Sequence, residues 1–534
     1  METEQAIDKG PPWWKSMRYR IVLMGFFGMT NIFIQRSNLS MAIVCMVNHT
    51  AVDLTAHQQL SSLEGISKNQ TRIISYEALR NANLSAESLN KTSILESDDA
   101  KTPYSTSSCN APIQANAMNR EDGEYNWSKD MQGLLLGALY WGYVPLQILG
   151  GYLMTRFGIR RTVGPCMFVM SILTLLTHAA ALISPWVLFV LRILLGTTNA
   201  MGMPGMFFIL TTWGPPEEKG RLLSIIFSGN FFSNVLIFPI AGLLCSYGFA
   251  GGWPSIFYVS GIANLIWCVF WYFIVFDSPL THPSIHPKEK EYIIASLNLT
   301  AKSSAERKSR KGAPWRHIFT SLPVISVICA QFSMNWGMYL ILSSLPLYMR
   351  EILKFDVKSN GLFTMLPFIS MWFVLSLSGM ASDWTSRRFG LAVARKSATV
   401  VGQVIPAILY IIVSYLDCES IPLVMVLLCI SIGLMAANFV GPIVNFFDIA
   451  GEHVGQVMTL SNTISNIPGI LTPYIVAEFT KDNTREQWQH VFFLTAGLMC
   501  FCSLVFVVFS KFTPQHWAVE ITVEPEENET LNEL

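Results

Sequence analysis

Two arginines stand in stretches that otherwise read as membrane helices. Arg36 lies within "NIFIQRSNLSMAIV", and Arg192 opens "RILLGTTNAMGMP" with no countercharge in the 12 residues that follow. A guanidinium inside a bilayer costs about 2.5–3.5 kcal/mol on insertion scales, so each needs a partner or a task. Its planar fork matches a carboxylate or a phosphate through two parallel hydrogen bonds. Yet Asp277, Asp383, Asp448, Glu452 and Glu478 all fall at the ends of the apolar runs or in turns. Two buried cations without anions of their own chain point to a passenger that brings the negative charge.

The competing chemistry is that of a membrane enzyme, which needs clustered histidines and carboxylates. Of 9 histidines only His178 lies inside an apolar run beyond its first few residues, and no Ser-His-Asp or HExxH arrangement is present. No catalytic set, metal site or cofactor is expected. Of the 10 cysteines, Cys45, Cys166, Cys245, Cys268, Cys329, Cys429, Cys500 and Cys502 sit in apolar runs and read as small core residues. Cys109 and Cys418 fall in loops, so no disulfide framework is expected. Formal net charge is +0, with no basic excess for nucleic acid. A channel-like facilitator and a non-transporting receptor stay open as alternatives, because flux is not written in residues.

The arginines must be positioned by long helices. The chain has 534 residues, 51% of them hydrophobic and 13% charged, with mean hydropathy +0.40. Soluble domains carry about 25% charged residues. Spans of about 20 apolar residues are expected near 21–47, 131–154, 163–184, 186–211, 222–246 and 253–275, then near 322–349, 359–381, 397–416, 420–447, 452–480 and 488–511. The fold class is therefore an all-α membrane protein of twelve transmembrane helices. Residues 1–20 form a tail, 21–275 a first six-helix bundle, 276–321 a linker, 322–511 a second bundle and 512–534 a second tail.

Lys and Arg set the orientation. They crowd the turn with Arg156, Arg160 and Arg161, the linker, and the turn with Arg387, Arg388, Arg395 and Lys396. Both termini are expected in the cytosol. The loop 48–128 then lies on the other side and holds glycosylation sequons at Asn48, Asn69, Asn83, Asn90 and Asn126. On this reading Arg36 lies about 22 Å along its helix from Ile21, and Arg192 about 9 Å past Trp186. Arg36 is too deep to reach the cytosol, whereas Arg192 has the shorter route to water.

An internal repeat supports two related halves. The second span ends "GGYLMTRFGIRRTVG" and the eighth "SGMASDWTSRRFGLAVARKSATVVG". Gly151, Arg156, Arg160, Arg161, Asp383 and Arg387 are the candidate residues of this paired element. Two halves around a midplane site, with helices bent at Gly202, Pro204, Pro239, Gly469 and Pro473, is the logic of alternating access.

The chain also resembles the anion transporter family of the major facilitator superfamily, which contains sialin, the vesicular glutamate transporters and the type I sodium-phosphate cotransporters. The resemblance runs from about residue 20 to about 517, apart from most of the loop 50–122. It is carried by "RSNLSMAIVCMV", "YWGYVPLQILGGY", "WGPPEEKGRLLS", "GGWPSIFYVSG", "FDSPLTHPSI", "PWRHIFTSLPV", "NWGMYLILSSLPLYM", "DIAGEHVGQVMTLSN" and "TREQWQHVF". It implies a major facilitator fold of two pseudo-symmetric six-helix bundles, with a small organic or inorganic anion held between them. It implies that Arg36 and Arg192 occupy the family's arginine positions in helices one and four. Tyr339 and Asn335 match its helix-seven segment, and Tyr140 and Trp141 the aromatic pair of helix two, expected to line a wall.

The departures are informative. Sialin-like members carry two proton-coupling glutamates in helix four, where this chain has Leu195 and Asn199. The histidine and arginine of the glutamate carriers are replaced by Leu136 and Met334. The expectation is a secondary transporter that moves negative charge, driven by potential, by exchange or by a cation bound elsewhere. The coupling ion, sodium or proton, is left open, as is sodium-coupled phosphate cotransport. Asn199 is a candidate contact for sodium or substrate. The remaining expectations are a monomer in the lipid bilayer and a plasma-membrane location in preference to a lysosomal or vesicular one.

Overall fold

The computed structural model describes residues 14–48, 51, 123–215, 218–297, 314–416 and 420–518. The sequons at Asn69, Asn83 and Asn90, as well as Cys109 and Cys418, lie outside them. Among the described residues, eight helices are long and apolar enough to cross a membrane, nine if one bent pair counts as a span. Of the other spans, the first helix, Met17–Met46, carries the polar run Gln35–Asn38 inside it, and one is split into two helices of 12 residues each, Val454–Ser465 and Pro468–Phe479.

The first bundle comprises α1 (Met17–Met46), α2 (Lys129–Phe157), the bent pair α3 (Ile159–Leu175) and α4 (Thr177–Ile183), the broken pair α5 (Pro185–Asn199) and α6 (Gly202–Trp213), α7 (Lys219–Tyr247) and α8 (Pro254–Ile274). Two short helices follow, α9 (Pro287–Leu297) and α10 (Trp315–Thr320). The second bundle comprises α11 (Leu322–Glu351), α12 (Val357–Phe389), α13 (Leu391–Tyr415), α14 (Ile421–Met435) with α15 (Pro442–Ala450), α16 (Val454–Ser465) with α17 (Pro468–Phe479), and α18 (Arg485–Phe509). These account for the twelve spans expected from the sequence.

Helix pairing repeats between the halves. In the first bundle α1 packs on α7, α2 on α5 and α3 on α8; in the second α11 packs on α16 and α17, α12 on α14, and α13 on α18. The bundles meet where α7 lies on α12, α2 on α17 and α1 on α11. The fourth and tenth spans both break at the same stage, at Ala200–Met201 and at the turn Ala436–Phe439. The repeat extends to single residues: Phe157-Gly158 and Phe389-Gly390 end the second and eighth spans, with Gly158 at φ 81° and Gly390 at φ 90°. That left-handed backbone lets one residue end a helix and open the next, which glycine does without strain.

These turns define a basic face. The Asp277 carboxylate accepts from the Arg160 backbone N–H at 2.9 Å and so caps α3. The Arg160 guanidinium reaches the Tyr272 carbonyl at the end of α8 at 2.7 Å and lies 4.2 Å over the Phe276 ring. Arg156 donates to Tyr152 Oη at 3.0 Å, and Arg161, Asp383 and Arg387 are exposed. Gly151 lies within α2. On the same face Glu289 of α9, fully buried, accepts from the backbone N–H groups of Met17 and Arg18 at 3.0 and 3.1 Å. A carboxylate there satisfies orphan donors and suits the helix dipole, and it fastens the linker helix to the first bundle.

The opposite face corrects the cysteine reading. Cys45 and Cys245 are not separate core thiols but form a disulfide, with Cα atoms 6.2 Å apart, joining the ends of α1 and α7. The 200-residue separation hid the pairing, and both cysteines sit in apolar runs. Val47 bridges Tyr125 beside it.

One crossing fixes the helix that carries Arg192. A Cβ on Gly196 of α5 would stand 1.8 Å from the Leu139 carbonyl oxygen, and one on Gly142 of α2 would stand 2.0 Å from that of Ile193. Bare glycines let the two backbones touch. Gly196→Ala should therefore lower stability by about 1–3 kcal/mol, the usual cost of overpacking, read as a lower melting temperature in detergent. Gly497→Ala, where a Cβ meets nothing within 4 Å, should not. Peptide mapping without reductant should recover Cys45 linked to Cys245, and Cys45→Ser should release Cys245 as a free thiol.

Candidate functional site

Four consecutive residues of α1, Gln35 to Asn38, organise the centre of the first bundle. A helix turns 100° per residue, so they fan out to four directions. Gln35 Oε1 accepts from Thr174 Oγ1 of α3 at 2.8 Å and from Asn38 Nδ2 at 2.9 Å. Arg36 Nε donates to Asn199 Oδ1 of α5 at 2.9 Å. Ser37 Oγ donates to Asn234 Oδ1 of α7 at 2.7 Å. Asn38 Oδ1 accepts from both terminal nitrogens of Arg192, at 3.2 and 3.3 Å.

Both arginines are thus held by neutral amides. Arg192 is 1% exposed, so the shorter route to water expected for it is not taken. Its guanidinium also lies 5.3 Å over the Phe257 ring. Arg36, 9% exposed, lies 4.3 Å over the Tyr143 ring and 4.6 Å over Phe33. Cation–π contacts of this kind contribute about 2 kcal/mol when desolvated. Among the described residues, neither arginine has a carboxylate within ion-pair distance. Arg36 Nη2 and Arg192 Nε are buried without a hydrogen-bond partner.

Arg36 and Arg192 line a cleft between the bundles, with about 360 Å³ of empty space including some open solvent. Tyr140 of α2 and Tyr339 of α11 close one side, their rings 4.6 Å apart. Leucines, among them Leu39, Leu135, Leu139 and Leu342, form much of the wall. Tyr339 Oη donates to Asn466 Oδ1, and Asn335 Nδ2 to the Ser465 carbonyl at 2.6 Å. Both bonds satisfy polar groups at the break between α16 and α17. That break brings Gly469 against Tyr140, where an added Cβ would lie 2.5 Å from the ring.

The candidate residues therefore divide. Arg36, Arg192, Tyr140 and Tyr339 line the cleft. Asn199 is fully buried and is not among the lining residues; its amide is shared between Arg36 and the Ile32 carbonyl, the latter at 3.2 Å. It positions Arg36. Asn335 supports the α16–α17 break. Trp141 is 52% exposed and turned away from the cleft. His178 is bonded to Tyr258 Oη at 2.8 Å. Arg192, Leu195 and Asn199 share the buried face of α5, as helical spacing requires. Asn48 and the exposed Asn126 both lie on the disulfide face.

Sequence reading missed Gln35 and Asn38, whose only signal was four polar residues in a row inside an apolar helix. It also missed an ion pair between Lys129 and Glu351, which crosses from one bundle to the other at the disulfide face. Glu351 lies two residues beyond the span expected at 322–349.

Two repeated bundles enclosing a central cleft with buried cations define a membrane carrier. Residues 104–473 match the model of the Major Facilitator Superfamily. The chain is 31% identical to sialin from Ovis aries over 94% of its length and 91% of that protein's. It is 30% identical to a putative inorganic phosphate cotransporter from Drosophila melanogaster over 96% of its length and 88% of that protein's. The crystal structure of a bacterial homolog of the human lysosomal transporter Spinster superposes with a TM-score of 0.61 at 13% identity, over 93% of this chain and 97% of that one. The chain belongs to the anion transporter family of the Major Facilitator Superfamily. It is a multi-pass membrane protein and a secondary transporter, not an enzyme.

Asn199→Asp would place a carboxylate on Arg36 Nε and neutralise the site. Uptake into proteoliposomes should then fall at least tenfold, with the melting temperature held. Asn199→Leu, which only removes the acceptor, should raise KM more than it lowers the maximal rate.

Proposed function

We propose that this chain carries a small organic anion by alternating access, with Arg36 bonding the anionic end of the substrate. The single observation that carries this reading is the Arg36 guanidinium. It faces the cleft, is steadied on Nε by Asn199 and keeps Nη2 unpartnered. A bidentate anion would fill that donor and neutralise the charge. Arg192 adds a second positive centre behind it. Tyr140 and Tyr339 would pack against the body of the substrate.

Leucine-rich walls favour an organic anion over inorganic phosphate, whose oxygens each need a hydrogen-bond donor. The second reading is sodium-coupled phosphate cotransport, and its phosphate, though not its sodium, draws support from the name of the Drosophila relative. Leu195 and Asn199 cannot titrate, so transport moves net negative charge, driven by potential, by exchange or by a cation such as sodium. The basic face is taken as cytosolic. In support, the disulfide and two sequons lie on the opposite face, and disulfides persist in oxidising compartments. The cleft is built within one chain, so a monomer suffices. The membrane is taken to be the plasma membrane, which surface biotinylation checks.

The test is uptake of a radiolabelled anion panel by purified, reconstituted protein at fixed potential, with and without a pH gradient. Arg36→Lys keeps the charge and loses the fork. Uptake of the transported anion should fall at least tenfold while the melting temperature is held. Wild-type uptake by this variant would overturn the role of Arg36, and acceleration by a proton gradient alone would overturn the coupling.

A further inference from the structure

Two helix faces run from the cleft to the disulfide face. On α2 the face carries Tyr140, Leu136, Gln132 and Lys129; on α11 it carries Tyr339, Ser343, Leu347 and Glu351. Each steps by three or four residues, so each is one stripe of its helix. The stripes begin at the Tyr140–Tyr339 contact and end about 17 Å away, at 1.5 Å per residue, in the Lys129–Glu351 ion pair. That pair joins the first residue of α2 to the last residue of α11. The two side chains are 5% and 4% exposed.

Between the two ends lies a smaller cavity of about 230 Å³, lined by Lys129, Gln132, Ser344 and Leu347 among others. It shares Leu136 and Pro473 with the central cleft. Gln132 is 1% exposed, and its Oε1 is buried without a partner. Glu351 is anchored to its own bundle, because Trp488 Nε1 of α18 donates to its Oε2 at 3.2 Å. Alongside, Arg350 donates to the Val44 carbonyl at 2.6 Å, again across the bundles.

We propose that Lys129 and Glu351 form the gate at the disulfide face, and that Lys129 is a second anion subsite at which Glu351 stands in for the substrate's anionic group while the gate is shut. This rests on the reading of the protein as an anion carrier. When the bundles part, Glu351 keeps Trp488 and leaves with the second bundle, and Lys129 stays with the first. The ammonium is then exposed at the mouth of the stripe that leads to Arg36. Burying two ions costs hydration that their attraction only partly returns, so the pair can open without a large penalty. An anion on Lys129 stabilises the open state as Glu351 stabilises the closed one, and ligands shift an equilibrium only by such differential binding.

The test reads the gate without requiring transport. Ser344→Cys places a thiol in the smaller cavity of the full-length, reconstituted protein. An anionic sulfonatoethyl and a cationic trimethylammonioethyl methanethiosulfonate are applied from the disulfide face, and the rates are corrected for protein that keeps Ser344. With Lys129 and Glu351 intact, both should react slowly. Adding Glu351→Gln should speed labelling, with the anionic reagent about tenfold faster than the cationic one. Adding Lys129→Gln as well should keep labelling fast but erase the preference. Equal rates with and without Glu351→Gln would overturn the gate. Fast labelling without an anionic preference would overturn the subsite. Should Glu351→Gln not fold, Glu351→Asp, which keeps the charge on a shorter arm, should give intermediate labelling with the same preference, and no change in rate would overturn the gate. If instead the labelling pattern holds and the anion panel shows no uptake, the gate stands and the transport reading fails.

Discussion

A guanidinium buried in a helical bundle must have its charge answered, and among the described residues that of Arg36 is met by an amide and two aromatic rings, with no carboxylate. Asn199 takes one donor and the Tyr143 and Phe33 rings shield the plane. A carboxylate in the position of Asn199 would neutralise the cation whenever it was ionised, whereas the amide leaves the charge of Arg36 in place at every pH. Much of the first bundle follows from that constraint. The polar run Gln35–Asn38 has to touch three other helices, so α3, α5 and α7 must all reach the same turn of α1. The glycine crossing of α2 and α5 sets how closely they do so.

The two halves share a pairing scheme but not a chemistry. The first bundle brings positive charge to the cleft. The second brings Tyr339, Ser343 and a broken helix, with Asn335, Asn462 and Asn466 gathered at the break. A division of this kind lets one half hold the charged end of a passenger while the other shapes itself to the rest. It also sets the interrupted span α16–α17 against α2 of the first bundle.

The architecture was legible in the sequence because bilayer spans announce themselves through length and apolarity, and basic turns mark one face. The two arginines were legible for the same reason, as charges out of place. What stayed hidden depends on contacts between distant residues. Cys45 and Cys245 read as apolar fillers until the ends of α1 and α7 are set side by side. Asn199 read as a ligand because it lies one helical face from Arg192, whereas geometry turns it to Arg36. Trp141 read as a wall residue because it matches, with Tyr140, the family's aromatic pair of helix two, but consecutive positions on a helix point 100° apart. Glu351 escaped because hydropathy places a boundary by composition, and this helix carries its charge just past the apolar run.

The bond between Cys45 and Cys245 has a consequence for how the protein is made. It closes a loop spanning nearly the whole first bundle, on the face where that bundle meets the second. Such a bond needs an oxidant on that side. If that side is the oxidising one, a chain inserted the other way round would present the two thiols to a reducing solution and remain unstapled.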